Sequence, residues 1–217
     1  MTIDWDIIAM AMPLLAEGAI VTIQVSVLSA IFGLALGIAL GLASLSRSKP
    51  LKWLVAAYVD FIRGTPLLIQ IFLVFFALPV IGIRFDEFWA GVVALSLNAG
   101  AFVSEVVRGG VGAIEKGQSE AARSIGMRNR QILIHILLPQ AYRQMIPPLT
   151  NELISLVKNS SLLSVISVYE LTRAGQAIIS LHFVPFEIYM LLALYYYLLL
   201  KVLSVLSKKL EQRLPQW

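Results

Sequence analysis

The side chains of this sequence that could hold a polar ligand lie inside apolar stretches. Glu152 and Lys158 stand in an apolar segment of about residues 144–168, together with a short polar run that includes Ser161. A carboxylate and an ammonium offer one acceptor and one donor, the pair that a zwitterionic ligand requires. Six positions apart, Glu152 and Lys158 differ by about 600° of helical rotation, or about 120° off a common face. Both could face one cavity if the helix is distorted or lies at its rim.

Two other apolar segments add candidates. Asn98 can both donate and accept, which suits either end of a zwitterion. The Thr65-Pro66-Leu67 break could expose backbone carbonyls to a cavity, as broken helices do in transporters, and a simple packing kink is an equal alternative. The residues that we expect to contact the ligand are Asn98, Glu152, Lys158, Ser161, Thr65 and Leu67. The alternative for Glu152 and Lys158 is that the two charges hold the helices together.

Three more charged residues receive structural interpretations. Asp60 and Arg63 are three positions apart, on one face of a helix, and we expect them to form a structural ion pair or to sit at the membrane interface. Glu105 is expected near the inner membrane surface.

Catalytic and metal chemistry are not indicated. The chain has no cysteine, and its two histidines, His135 and His182, stand alone without metal-ligand spacing. The sequence has no Gly-x-x-x-x-Gly-Lys-Ser/Thr phosphate-binding loop, and its carboxylates form no paired arrangement with a nucleophile or base. We therefore expect no catalytic residue, no metal and no cofactor in this chain.

Composition indicates which elements position the candidates. Of the 217 residues, 59% are apolar and 14% are charged, and a mean hydropathy of +0.83 requires a surface that faces lipid. Five apolar runs are long enough to cross a hydrocarbon core of about 30 Å. They cover about residues 19–45, 53–83, 88–107, 144–168 and 184–206. The second run is too long for one straight span and contains Pro66, so we expect a kink there. The predicted fold is an all-α, polytopic membrane protein with one domain over residues 1–217.

The distribution of lysine and arginine predicts the orientation. These residues concentrate in the link after the first span, which includes Arg47, in the link after the third, and in the tail, which includes Arg213. Because cytoplasmic loops are enriched in positive charge, we expect the N-terminus outside and the C-terminus in the cytoplasm. The net charge of +4 then reflects topology and does not indicate nucleic-acid binding. Asp4 and Asp6 make the start acidic, which argues against a cleaved signal peptide.

The link of residues 113–140 is predicted to be a folded, exposed knob. Residues 120–123 are mostly strong helix formers, Ser119 can cap their start, and Gly126 can take the left-handed conformation that ends a helix. A second helix over residues 129–138 carries an apolar stripe, and Pro139 is expected to stop it. A simple tether would need no such folding, so we expect the knob to contact another protein.

The knob resembles the EAA loop found in permease subunits of bacterial ATP-binding cassette importers. The matching residues, in their spacing, are Glu120-Ala121-Ala122, Gly126, Ile136 and Leu138-Pro139. Residues 61–70 and 158–162 are similar to the subgroup that takes up polar amino acids such as histidine, glutamine or arginine. The resemblance covers essentially the whole chain.

The resemblance implies that this loop docks in a cleft of an ATPase subunit and transmits ATP-driven closure to the spans. The coupling residues that it implies are Ser119, Glu120, Ala121, Ala122, Arg123 and Gly126. The implied partners are two ATP-binding cassette subunits, which bind the ATP and Mg, a second permease subunit, either identical or a sister, and an extracytoplasmic amino-acid-binding protein. The implied location is the lipid of the bacterial inner membrane.

A secondary, ion-coupled amino acid carrier is the alternative function. Such carriers usually show duplicated halves around a midplane site, which five spans do not provide, and they would not need the knob. For an importer, Glu152 and Glu105 leave room for a cationic side chain. We therefore expect arginine, lysine or histidine slightly ahead of glutamine as the cargo.

Overall fold

A computed structural model describes residues 5–46 and 48–212 of the chain. Arg47 and Arg213, which contributed to the predicted orientation, and Asp4, which contributed to the acidic start, lie outside these residues. The described helices are α1 (Trp5–Ser44), α2 (Lys49–Gly64), α3 (Leu67–Phe72), α4 (Glu87–Gly112), α5 (Lys116–Ser124), α6 (Asn129–Ile132), α7 (Leu138–Asn159), α8 (Leu171–His182) and α9 (Pro185–Gln212). The predicted all-α membrane fold is confirmed.

Three helices, α1, α4 and α9, are long and apolar enough to cross a membrane, and the bent pair formed by α2 and α3 would make a fourth span. Helix α7, which begins six residues before the predicted fourth span, is not among them; it carries Arg143, Glu152 and Lys158. A five-span topology therefore stays a prediction. Helix α1 begins well before the predicted first span because the chain stays helical through Pro13.

Close contact between α1 and α4 forms the centre of the bundle. Gly33, Gly37 and Gly41 recur every four residues on α1 and are buried against α4. A Cβ atom added to Gly41 would lie 2.6 Å from the Cβ of Val107, and one added to Gly37 would clash with Val103. Glycine therefore sets how closely the two backbones approach.

A sharp bend of 109° separates α2 from α3. Thr65 is extended, with φ −117° and ψ 146°, and Pro66 follows with φ −62° and ψ 136°. The proline ring disfavours helical backbone in the preceding residue and lacks an N–H for the helix. The kink expected at this point is confirmed, and it separates two distinct helices.

The link between α4 and α7 differs from its prediction in two details. Helix α5 begins at Lys116, so Ser119 lies inside its first turn, and its hydroxyl donates to the Lys116 carbonyl at 2.8 Å instead of capping the helix. Pro139 does not stop the second helix. The chain passes from α6 through a π-helical turn (Leu133–Leu137) directly into α7, whose second residue is Pro139.

Gly126 takes the left-handed conformation expected of it, with φ +82°. Its N–H donates to the Arg123 carbonyl, and the next N–H, of Met127, donates to the Ala122 carbonyl. These bonds end α5 in the manner of a left-handed helix cap.

The loop predicted before the last span contains a helix. A 3-10 helix (Ser160–Ile166) continues from α7, and α8 then begins at Leu171. Glu170 caps α8 by accepting the N–H groups of Thr172 at 3.0 Å and Arg173 at 2.8 Å. These bonds satisfy donors that the start of a helix leaves unpaired.

Candidate functional site

A polar cavity of about 300 Å³ lies where the bend, α4 and α7 meet. Its polar lining comes from Arg63, Thr65, Asn98, Glu152, Ser155 and Asn159, and its apolar lining from Ile62, Leu67 and Phe102. A volume of this size is at the lower end of those that hold small ligands. Its charged lining residues are Arg63 and Glu152, one of each sign.

Helix geometry explains why α7 contributes three of these residues. Glu152, Ser155 and Asn159 follow one another at intervals of three and four positions, so they lie on one face of the helix. Thr65 and Leu67 reach the cavity because the backbone turns between α2 and α3. Asn98 enters from the buried face of α4.

Four of the six residues predicted to contact the ligand line this cavity: Asn98, Glu152, Thr65 and Leu67. Lys158 and Ser161 do not line it. Lys158 is exposed on another face of α7, as its six-residue separation from Glu152 requires. Ser161 lies in the 3-10 helix, where its hydroxyl donates to the Lys158 carbonyl at 2.8 Å.

Arg63 supplies the cation that Lys158 does not. Its guanidinium lies 3.3 Å from a Glu105 carboxylate oxygen and 5.5 Å from the centre of the Phe102 ring. Asp60 and Arg63 were expected to pair with each other or to sit at the membrane interface. The first of these alternatives is wrong, because Arg63 pairs with Glu105, which also binds Arg108 at 2.7 Å. The sequence signal for Arg63 was its position next to the Gly64-Thr65-Pro66 break.

A second, more open cavity of about 1050 Å³ adjoins the first. It is lined by residues of α1, α2 and α4, including Asp60, Glu105 and Arg108. Arg63 and Phe102 line both cavities. The Arg63 guanidinium, which lies over this ring, is therefore at the boundary between the two cavities.

The residues predicted to couple to an ATPase lie together on α5 and its end. Glu120, Ala121, Arg123 and Gly126 are exposed. Ser119 is half-buried, and Ala122 is buried at 5% exposure. Ile125, which no pattern in the sequence singled out, is 79% exposed between them. The surface that α5 presents therefore combines charge with one large apolar side chain.

Within residues 5–46 and 48–212, no three histidine, aspartate or glutamate side chains are grouped so that they could hold a metal ion.

Comparison with known proteins identifies the family of this chain. Residues 33–216 match the family model described as "Binding-protein-dependent transport system inner membrane component". The arginine transport system permease protein ArtQ of Bacillus subtilis is 39% identical over 215 residues, which are 99% of this chain and 98% of ArtQ. The glutamine transport system permease protein GlnP of Escherichia coli K12 is also 39% identical, over 99% of each chain.

A solved structure agrees with these relatives. It is a crystal structure of an amino acid ABC transporter with histidines, and one of its chains superposes with a TM-score of 0.93 at 36% identity, over 99% of this chain and 100% of that one. The chain therefore belongs to the family of binding-protein-dependent transport system inner membrane components.

Proposed function

We propose that this chain is the permease subunit of an ATP-driven importer of polar amino acids, and that the 300 Å³ cavity binds the amino acid. The observation that carries the proposal is the pair of opposite charges, Glu152 and Arg63, in one small cavity whose remaining polar lining is uncharged. Glu152 accepts the α-ammonium of the ligand, and Arg63 donates to its carboxylate.

Sequence similarity to known permeases supports amino acids as the cargo. The relatives described above carry the names of arginine and glutamine permeases, and both ligands share the zwitterionic group that the cavity can bind. The expected preference for a cationic side chain counted Glu105 as a second free carboxylate, but Glu105 lines the adjoining cavity and is paired with Arg63 and Arg108. Arginine, lysine, histidine and glutamine therefore all remain proposed cargoes.

Coupling is assigned to the exposed end of α5. An ATP-binding cassette subunit docks on the exposed residues Glu120, Ala121, Arg123 and Gly126 and on half-buried Ser119, while Ala122 is buried behind them and supports this surface. Two such subunits bind the ATP and Mg, a second permease subunit completes the path, and an extracytoplasmic binding protein delivers the amino acid. The N-terminus then faces outside and the C-terminus the cytoplasm. An ion-coupled carrier is not favoured by membership in this family.

The test of the cavity is a binding measurement on the purified complex in lipid nanodiscs. Glu152→Gln should weaken the binding of L-arginine by about 10- to 100-fold, because the negative charge that faces the α-ammonium is lost and only a neutral amide oxygen remains as acceptor. The desamino analogue of L-arginine, which lacks the α-ammonium, should bind the Glu152→Gln complex and the unchanged complex equally. Glu17→Gln, on an exposed position of α1, is the matched control. Unchanged arginine affinity in Glu152→Gln would remove the cavity as the amino acid site.

A further inference from the structure

A buried glutamine behind the cavity connects the helix break to the ligand-binding face. Gln70 lies on α3 and is 4% exposed. Its Nε2 atom lies 2.7 Å from the Ile62 carbonyl oxygen, 3.0 Å from the Thr65 carbonyl oxygen and 3.0 Å from the Thr65 hydroxyl oxygen. Its Oε1 atom lies 2.9 Å from the Asn98 Nδ2. One side chain therefore contacts both sides of the break and a residue of the cavity.

The orientation of this amide is determined by its neighbours. Carbonyl oxygens can only accept hydrogen bonds, so the nitrogen of Gln70 must face Ile62 and Thr65. The Thr65 hydroxyl donates its one hydrogen to the Phe61 carbonyl at 2.9 Å, so it too acts as an acceptor toward Gln70. The oxygen of Gln70 is left to face Asn98.

The orientation of the Gln70 amide also determines that of the Asn98 amide. Because Gln70 presents an oxygen, Asn98 must donate through Nδ2, and its own carbonyl oxygen lies on the other side of the amide. Asn98 lines the cavity and is 7% exposed. The carbonyl oxygen of Asn98, which Gln70 does not bond, can accept a hydrogen bond from another donor.

We propose that Gln70 is a positioning residue for the cavity: by bonding the carbonyls released at the break, it holds Asn98 with its carbonyl oxygen available to the N–H groups of the cargo. This inference rests on the proposed amino acid site. It adds that Gln70 acts on affinity through Asn98 and touches no ligand itself.

The first test is a double-mutant cycle on the purified complex in nanodiscs, with radiolabelled L-arginine and L-glutamine as probes. Gln70→Met and Asn98→Ala should each weaken binding by about tenfold, and the double variant by about tenfold as well, because both substitutions break the same chain of hydrogen bonds. Ser96→Ala, which removes another buried hydrogen bond on α4 at 2.6 Å, should leave affinity within about twofold.

If the effects of Gln70→Met and Asn98→Ala on affinity are independent, the proposal is overturned. If Gln70 only stabilised the bend, the two single effects would multiply to about a hundredfold in the double variant. Unchanged affinity in Gln70→Met would reject the role of Gln70 outright. If Glu152→Gln weakens binding while Gln70→Met does not, the site stands and this inference fails; if Glu152→Gln also has no effect, the proposed site fails.

A second variant keeps the test decisive if Gln70→Met does not assemble. Gln70→Glu keeps the size of the side chain but removes the Nε2 donor to the Ile62 and Thr65 carbonyls, so affinity should fall about as far as in Asn98→Ala, about tenfold. An affinity within about twofold of the unchanged complex in Gln70→Glu would contradict positioning through these hydrogen bonds.

Discussion

At the scale of single residues, Lys158 and Arg63 are the two candidates for binding the carboxylate of the ligand. Lys158 was the predicted donor because it is a cation in an apolar segment, whereas the cavity contains Arg63. A guanidinium is a planar donor that matches a carboxylate in geometry, and that of Arg63 lies over the Phe102 ring, 5.5 Å from its centre. Under the proposed function, Arg63 exchanges its Glu105 partner for the carboxylate of the ligand.

Arg63→Gln should weaken L-arginine binding by about tenfold or more, because a charge-assisted hydrogen bond is lost. L-argininamide, which lacks the carboxylate, should bind the variant and the unchanged protein equally well. Lys158→Gln is the control and should change neither affinity by more than about twofold. A larger loss in Lys158→Gln than in Arg63→Gln would return the carboxylate site to Lys158.

Polar residues in apolar segments were predictable, and their partners were not. Glu152, Asn98 and Thr65 were identifiable because polar groups at membrane depth are costly and persist where they have a role. The hydrogen bonds of Gln70 and the Arg63–Glu105 contact depend on the 109° bend, which brings α2 against α4. A sequence pattern can place a break at Pro66, but it does not give the angle that follows.

At the scale of helices, the α1–α4 contact depends on the absence of side chains. Gly37→Ala should destabilise the protein by about 1–3 kcal/mol, because its Cβ atom clashes with Val103 and with the backbone of α4. Gly109→Ala is the matched control, since no atom lies within 4 Å of its added Cβ and alanine favours a helix. Thermal unfolding in detergent measures both. Equal Tm values for the two variants would show that the contact is loose.

The second helix-scale prediction concerns Glu170, whose side chain is fully buried. Besides capping α8, its carboxylate accepts from the Tyr196 hydroxyl of α9 at 2.9 Å and lies 3.5 Å from the Thr22 hydroxyl of α1. Glu170→Ala should cost about 2–4 kcal/mol, because buried donors from three helices lose their acceptor.

Tyr196→Phe, which removes one of these donors, should cost only about 1 kcal/mol. Both variants are compared by thermal unfolding of the purified protein. A Glu170→Ala protein as stable as the unchanged one would contradict a role of this carboxylate in joining α1, α8 and α9.

Helix boundaries show where local signals fail. The signal at Gly126 was correct because a left-handed cap is a local property. Pro139 was expected to stop a helix, yet the π-helical turn before it lets α6 continue into α7. Helix α8 was missed because it is short and its cap, Glu170, is held by residues far away in sequence.

At the scale of the whole molecule, coupling to the ATPase subunits should be separable from binding of the amino acid. Gly126→Val should abolish amino-acid-stimulated ATPase activity, because a β-branched residue is strained at φ +82° and deforms the end of α5. Binding of L-arginine in the cavity should persist. Gly117→Val, at an exposed position within α5 where no atom lies within 4 Å of an added Cβ, is the control. Stimulated ATPase activity at the unchanged level in Gly126→Val would remove this region from the coupling path.

The most direct test of the central claim is uptake of radiolabelled L-arginine and L-glutamine into proteoliposomes that contain the chain, its ATPase subunits and its binding protein. We expect at least one amino acid to accumulate only with ATP and Mg inside the compartment that holds the ATPases. Glu152→Gln should abolish this uptake, while Glu17→Gln should leave it unchanged. Uptake by the chain alone, driven by a proton gradient and indifferent to ATP, would contradict the account.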